Sequence, residues 1–285
     1  MLEATVKKIL QARVYEAACE TPISSAPFLS RRFNNQILIK REDLQPVFSF
    51  KIRGAYNKMA QLTDEQKAKG VIAASAGNHA QGLAMAAKLM GVKAVIVMPR
   101  ITPDIKVQAV RARGAKVVLK GDAFAAAAEH AQELIKEHGY TYIPPFDDID
   151  VVAGQGTIGV EILRQHSGRL DAIFIPVGGG GLIAGVAAYV KYLRPDIKII
   201  GVEAEDSACL KAALEAGERV VLDQVGVFAE GVAVAQIGEV PFSLGRDLVD
   251  DVITVNTDEM CAAVKDIFED TRAVAETSGA LSLAG

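Results

Sequence analysis

Val177-Gly178-Gly179-Gly180-Gly181-Leu182 joins an expected strand, Asp171–Val177, to an expected helix, Leu182–Leu193. Four glycines clear every side chain from the turn, so its backbone can curl and aim successive N–H groups inward. The positive end of the following helix adds to them, and together they make a cradle for a phosphate. A strand-to-helix turn alone seldom needs four glycines, because each carries an entropic cost. A second reading stays open. Gly179-x-Gly181-x-x-Ala184 fits the loose dinucleotide fingerprint, and Glu203 ends the next expected strand, Ile197–Glu203, where a ribose-binding acid would stand. That reading makes the chain a nicotinamide or flavin oxidoreductase but leaves Gly178 and Gly180 unexplained.

The alternation of strand and helix extends outward from this turn. Val71–Ala74 reads as a strand, Asn78–Met90 as a helix closed by Gly91, and Lys93–Met98 as a further strand. Thr102 is the expected N-cap of the next helix, with Pro103 at its first position. Ala115–Leu119 reads as a strand and Ala123–Glu137 as a helix capped by Asp122, while Thr63 with Gln66 makes a capping box. Strands separated by helices of this length imply right-handed crossovers, hence an α/β fold with open parallel sheets covered by helices on both faces. Tyr140–Asp150, with Pro144 and Pro145, is the expected domain crossing. The expected division is a large domain of residues 1–65 and 147–285 and a small α/β domain of residues 66–146.

Two other segments sit where ligands bind. Ser75-Ala76-Gly77-Asn78-His79-Ala80-Gln81-Gly82 follows a strand and opens a helix, the carboxyl-end position at which open α/β sheets take ligands. Ser75 and Asn78 offer side-chain hydrogen bonds and the helix end suits a carboxylate; Asn78 reads equally well as a helix cap. In Ser49-Phe50-Lys51-Ile52-Arg53-Gly54-Ala55, the apolar neighbours Phe48, Phe50 and Ile52 would desolvate Lys51 and lower its pKa, as a Schiff-base lysine requires. A lysine among apolar residues is also commonly a surface side chain lying along its own stem.

Composition narrows the partners. Half of the 285 residues are hydrophobic, 23% are charged and the net charge is −4, so neither nucleic acid nor an anionic membrane is an expected partner. Ala172–Val190 runs nineteen residues without a charge, yet Pro176 and the glycines break it into a buried strand and a buried helix. Three widely spaced cysteines, Cys19, Cys209 and Cys261, argue against a disulfide framework and for a reduced, cytoplasmic setting. Asp147, Asp148 and Asp150 could cluster on a metal, but with no histidine at ligand spacing they read better as a solvated loop capping the next helix. No metal site is expected.

Lys51 in Ser-Phe-Lys-Ile-Arg-Gly-Ala, Asn78 in Ser-Ala-Gly-Asn-His-Ala-Gln-Gly and the run Gly178–Gly181 resemble, in order and spacing, the serine/threonine dehydratase family of pyridoxal-phosphate enzymes. The resemblance covers nearly the whole chain from Arg13-Val14-Tyr15-Glu16 onward. It implies a tryptophan-synthase-like (fold type II) architecture, with the large domain binding the cofactor. Lys40-Arg41-Glu42-Asp43, Glu203-Ala204-Glu205-Asp206-Ser207-Ala208-Cys209 and Phe228-Ala229-Glu230-Gly231-Val232-Ala233-Val234 are most similar to the biosynthetic branch that feeds isoleucine synthesis, and less so to the catabolic branch. The reaction implied is dehydration and deamination of L-threonine to 2-oxobutanoate and ammonia, and of L-serine to pyruvate, by a homo-oligomer, dimer or tetramer.

By the same resemblance Lys51 carries the pyridoxal 5′-phosphate and takes the α-proton, with Phe50 beside it. Gly178, Gly179, Gly180, Gly181 and Leu182 hold the phosphate, and Asn78 meets the ring hydroxyl. Ser75, Ala76, Gly77, Asn78 and His79 bind the substrate. Ala76 departs from the serine that racemase relatives use as a second base, so racemisation is expected to be poor. The family usually carries a later Ser-Gly-Gly-Asn-like segment whose serine meets the pyridine nitrogen. The Ser-Gly pairs here, Ser167-Gly168 and Ser278-Gly279, do not continue to Asn. Glu276 and Ser278 belong to a different segment that approaches the cofactor, and the nitrogen contact is not carried onto Ser278. With the chain ending inside an expected helix at Leu281–Gly285, the C-terminal part of the large domain is expected to be missing.

Overall fold

Four parallel strands form one sheet in the spatial order Lys116–Leu119, Ala94–Met98, Val71–Ala74, Thr141–Tyr142. The computed structural model describes residues 1–285, and this sheet is the core of the smaller of its two units, Ala12–Cys19 with Glu42–Pro145. Side chains alternate faces along a strand. Val71, Ala73, Ile96 and Met98 pack on one side with Ile52 and Met59 of helix Lys51–Ala60 and Leu83 of helix Asn78–Met90. Ile72, Ala74, Val95 and Val97 pack on the other with Ala127 and Ala131 of helix Phe124–His138. Because both faces are covered, Val71–Ala74 and Ala94–Met98 carry no polar residue and are buried throughout.

Local signals hold at some helix ends. Thr63 and Gln66 form the capping box, and Gly91 closes Asn78–Met90 in the left-handed conformation at φ +65°. Two expected caps differ. Pro103, not Thr102, stands at the N-cap of Asp104–Ala112, since proline's fixed φ suits the extended cap (ψ 138°) as well as a first turn. Ala123 rather than Asp122 precedes Phe124–His138, and no side chain caps that helix. Left-handed Gly121 turns the chain there, leaving Asp122 outside the helix start.

Met1–Gln11, Glu20–Arg41 and Phe146–Gly285 make the larger unit. Its parallel sheet runs Ala172–Pro176, Lys198–Ala204, Asp251–Val255, beside a separate antiparallel pair, Ile23–Ser25 with Leu38–Lys40. Helices Ile149–Gln165 and Gly181–Leu193 pack so closely that a Cβ on Gly185 would strike the Val152 carbonyl. Ile9 of helix Leu2–Leu10 fills the space beside Ala153 and Ala188 of that pair. The uncharged stretch resolves into the strand Ala172–Pro176 and the 13-residue helix Gly181–Leu193. No helix is long and apolar enough to cross a membrane.

Packing draws the division differently from the sequence expectation, because residues 12–19 and 42–65 go with the smaller unit. Helix Lys51–Ala60 lies against Asn78–Met90 so tightly that a Cβ on Gly82 would come within 3.0 Å of the Lys51 backbone carbon. Fully buried Arg53 clasps Glu42 through two 2.8 Å bonds and reaches the Cys19 carbonyl. Gln45 accepts the Cys19 N–H and donates to its carbonyl, so segment 12–19 is fastened to the start of 42–145.

Candidate functional site

In the larger unit, the chain leaves the sheet at Val177, whose N–H still bonds Val202 O at 2.9 Å, and helix Gly181–Leu193 begins after Gly180. Gly180 is the N-cap at φ +87°, a conformation that costs any other L-residue energy. Steric crowding explains the rest. A Cβ on Gly178 would lie 2.9 Å from Val232 Cα, one on Gly179 would enter the Phe146 ring, and one on Gly181 would lie 3.1 Å from Phe146 Cα. The run is therefore glycine partly because its neighbours press on it. Its carbonyls are held from behind: Gly178 O accepts from Cys209 Sγ at 3.3 Å, and Gly179 O accepts from Gly238 N–H at 3.1 Å. The N–H groups of Gly178, Gly179 and Gly180 donate to no protein acceptor, and those of Gly181 and Leu182 open the first helical turn. Unpartnered N–H groups leading into a helix N-terminus suit an anion.

Glu203 removes the dinucleotide reading. It is fully buried at the end of Lys198–Ala204, and its carboxylate accepts from Leu210 N–H at 2.8 Å and Lys211 N–H at 2.9 Å. It thus caps helix Cys209–Ala216, and burial pushes its pKa up to about 7. A carboxylate enclosed and committed in this way has nothing left for a ribose.

In the smaller unit, Ser75 leaves strand Val71–Ala74, and its Oγ accepts from Gly77 N–H at 3.3 Å. Gly77 is the N-cap of Asn78–Met90 with no side-chain capping bond, so Asn78 is the first helical residue and not the cap. Ser75, Ala76, Gly77 and Asn78 are half-buried, and a Cβ on Gly77 would meet nothing within 4 Å. His79 differs from them. It is buried, its Nε2 lies 2.8 Å from the Ile143 carbonyl, and burial with the nearby Lys51 charge lowers its pKa to about 4. A neutral ring donating through Nε2–H fastens the helix to the chain at Ile143; for a ligand, His79 offers its backbone N–H.

Lys51 is the first residue of helix Lys51–Ala60. Its Nζ donates to the Pro145 carbonyl at 3.0 Å and lies 5.3 Å from the Phe50 ring centroid. The expected apolar cover is only partly there: Ile52 is fully buried and Phe50 half-buried, but Phe48 is 75% exposed, with φ +60° turning it away. Ser49 Oγ, two residues before Lys51, is the one buried side-chain polar atom without a hydrogen-bond partner. An orphaned hydroxyl at that place leaves a donor and an acceptor for a polar ligand.

Ser278 Oγ accepts from Gly231 N–H at 2.9 Å, bracing the Glu230–Val232 turn whose Val232 presses on Gly178. Glu276 is exposed at the N-cap of Thr277–Ala284 and makes no capping bond. Of the three acids after Pro145, Asp148 caps Ile149–Gln165, Asp147 accepts from Val240 N–H, and Asp150 pairs with Lys8 at 2.7 Å, which is the loop-and-cap reading. Phe146, Cys209, Gly238 and Gly82 were not singled out as site residues from the sequence. Each acts through a contact made far along the chain, for which periodicity and caps carry no signal.

The sequence profile of pyridoxal-phosphate dependent enzymes matches residues 14–285. The biosynthetic L-threonine dehydratase of Burkholderia multivorans is 57% identical over 283 residues, covering 98% of this chain and 56% of that relative. The processed form of threonine deaminase isoform 2 from Solanum lycopersicum superposes with a TM-score of 0.97 at 51% identity, over all of this chain and 82% of that one. The serine racemase of Dictyostelium discoideum superposes at 0.91 with 34% identity, over 98% of this chain and 90% of that one. The chain spans about half the length of the curated relatives it matches.

Proposed function

The chain belongs to the family of pyridoxal-phosphate dependent enzymes, and from that premise we propose that it dehydrates and deaminates L-threonine to 2-oxobutanoate and ammonia. L-Serine, giving pyruvate, is the second substrate, and the role is the first step of isoleucine biosynthesis. Similarity to biosynthetic threonine dehydratases at 57% identity supports the choice of substrate. The carrying observation is the set of N–H groups from Gly178 to Leu182, which reach no protein acceptor or open a helix. The larger unit thus offers an anion cradle and the smaller unit, taken by itself, offers the Lys51 amine and the orphaned Ser49 hydroxyl, each suited to one part of a phosphorylated aldehyde cofactor.

Pyridoxal phosphate, when bound, supplies the electron sink that acidifies the α-proton of an amino acid. Lys51 Nζ is the attachment point and, as the free neutral amine, takes that proton. Phe50 covers Nζ, a fit supported by their 5.3 Å approach. N–H groups of Gly178–Leu182 hold the phosphate, and Asn78 meets the ring hydroxyl. Ser75 Oγ and the backbone N–H groups of Ala76, Gly77, Asn78 and His79 hold the substrate carboxylate at the start of a helix, whose positive end favours it. Three free cysteines support a reduced, cytoplasmic setting. Assembly as a dimer or tetramer belongs to the same reading.

Lys51→Ala tests the assignment. The variant should keep its fold and lose both the cofactor's visible absorbance and turnover. Borohydride reduction of the unaltered protein with cofactor, followed by peptide mapping, should place the label on Lys51. A label on another lysine overturns the assignment.

A further inference from the structure

Behind the glycine run lies a thiol that the reaction does not use. Cys209 opens helix Cys209–Ala216, is fully buried, and directs Sγ at the Gly178 carbonyl, 3.3 Å away. The start of that helix is itself pinned, because the Glu203 carboxylate accepts from Leu210 and Lys211 N–H at the end of a core strand. Burial and the neighbouring Glu203 carboxylate, which also lies within reach of the thiol, push its pKa up to about 12; the sulfur keeps its one proton, and the 3.3 Å approach makes Gly178 O its acceptor.

A trans peptide is planar, with its C=O and N–H pointing in opposite directions. Gly178 O and Gly179 N–H share one plane, and Gly179 O and Gly180 N–H share the next. Both carbonyls are held, the first by Cys209 and the second by Gly238 N–H at 3.1 Å. Holding the carbonyls on one side aims the Gly179 and Gly180 N–H groups to the other. Glycine planes rotate more freely than those of any other residue, so a run of four needs such clamps to present a fixed set of donors.

We infer that Cys209 is a positioning residue for anion binding by the glycine run, its S–H fixing the Gly178–Gly179 peptide plane so that Gly179 N–H is aimed at the phosphate. The inference rests on the phosphate-cradle reading given above. It assigns Cys209 no redox or nucleophilic part.

The test uses the full chain and two probes, pyridoxal phosphate and pyridoxal, which differ only in the phosphate. Cys209→Ala and Cys209→Val both delete the donor, one leaving a hole and the other filling it, while Cys209→Ser keeps a donor. Melting of the ligand-free proteins shows that each is folded, and absorbance titration gives the two affinities. Ala and Val should weaken pyridoxal phosphate binding about three- to tenfold, the range of one lost hydrogen bond. They should leave pyridoxal binding unchanged and move the ³¹P resonance of the bound cofactor, with Ser closer to the unaltered protein in both. Equal loss for the two probes, or no loss in either variant, overturns the inference and leaves Cys209 as core packing. Should the unaltered protein bind pyridoxal as tightly as pyridoxal phosphate, the cradle reading itself falls.

Discussion

Ala76 puts a methyl group at the carboxyl end of Val71–Ala74, packed against the core beneath and half-buried. It has no proton to give or take, so under the proposal that Lys51 takes the substrate's α-proton, no second acid stands at that position. L-Serine should therefore yield pyruvate with little D-serine, as chiral chromatography would show. Ala76→Ser should raise D-serine formation roughly 10- to 100-fold, at or below the low end of what a placed acid–base group contributes. Abundant D-serine from the unaltered protein would mean that another residue supplies the proton. At this scale the structure overturns the ribose-binding reading of Glu203 and commits the side chain, though not the backbone N–H, of His79. Each spends its side chain on the backbone, His79 at Ile143 and Glu203 at Leu210 and Lys211.

Two turns that read alike in the sequence, each a strand passing through glycine into a helix, differ as elements. At Gly180 a Cβ would lie 2.5 Å from Ile237 Cδ1 and 2.8 Å from Pro241 Cβ, on a backbone at φ +87°. Gly180→Ala should destabilise the cofactor-free protein by about 1–3 kcal/mol, combining overpacking with left-handed strain. At Gly77 a Cβ meets nothing within 4 Å. Gly77→Ala should cost up to about 1 kcal/mol, the preference for glycine over alanine at an N-cap, with no crowding added. KM for threonine should rise, since the methyl group enters the space assigned to the substrate carboxylate. Melting curves and steady-state kinetics on the pair separate the two cases, and an unchanged KM for Gly77→Ala would remove the Ser75–His79 segment from the substrate site.

For the molecule as a whole, two buried groups tie stability to pH with opposite signs. His79 is lowered from 6.5 to about 4, so its contribution is full above pH 6.5 and is lost as pH falls toward 4. Glu203 is raised from 4.5 to about 7, so its contribution is full below pH 4.5 and is lost as pH rises through 7. Between about pH 4.5 and 6.5 each changes the unfolding free energy by up to roughly 1.4 kcal/mol per pH unit, in opposing directions. Urea unfolding of Glu203→Gln should show stability climbing with pH across that window, on the transition that carries His79. His79→Gln keeps an amide donor for Ile143 and should show stability falling with pH on the transition that carries Glu203. Parallel pH profiles for the two variants would contradict both assignments.

The amino-acid order by itself determined the alternation of strands and helices and the parallel sheets. These rest on apolar runs, caps and glycines that act within a few residues of one another. Burial on both faces is written directly into Val71–Ala74 and Ala94–Met98, where no polar residue survives. Only the tertiary structure decided which unit holds Lys51, because Gly82, Arg53 and Gln45 act on partners brought near by folding. It alone decided that Glu203 caps a helix, that Phe146 presses on Gly179, and that Cys209 stands behind Gly178. Close packing and hydrogen bonds depend on distance through space, and a chain's sequence records distance only along itself.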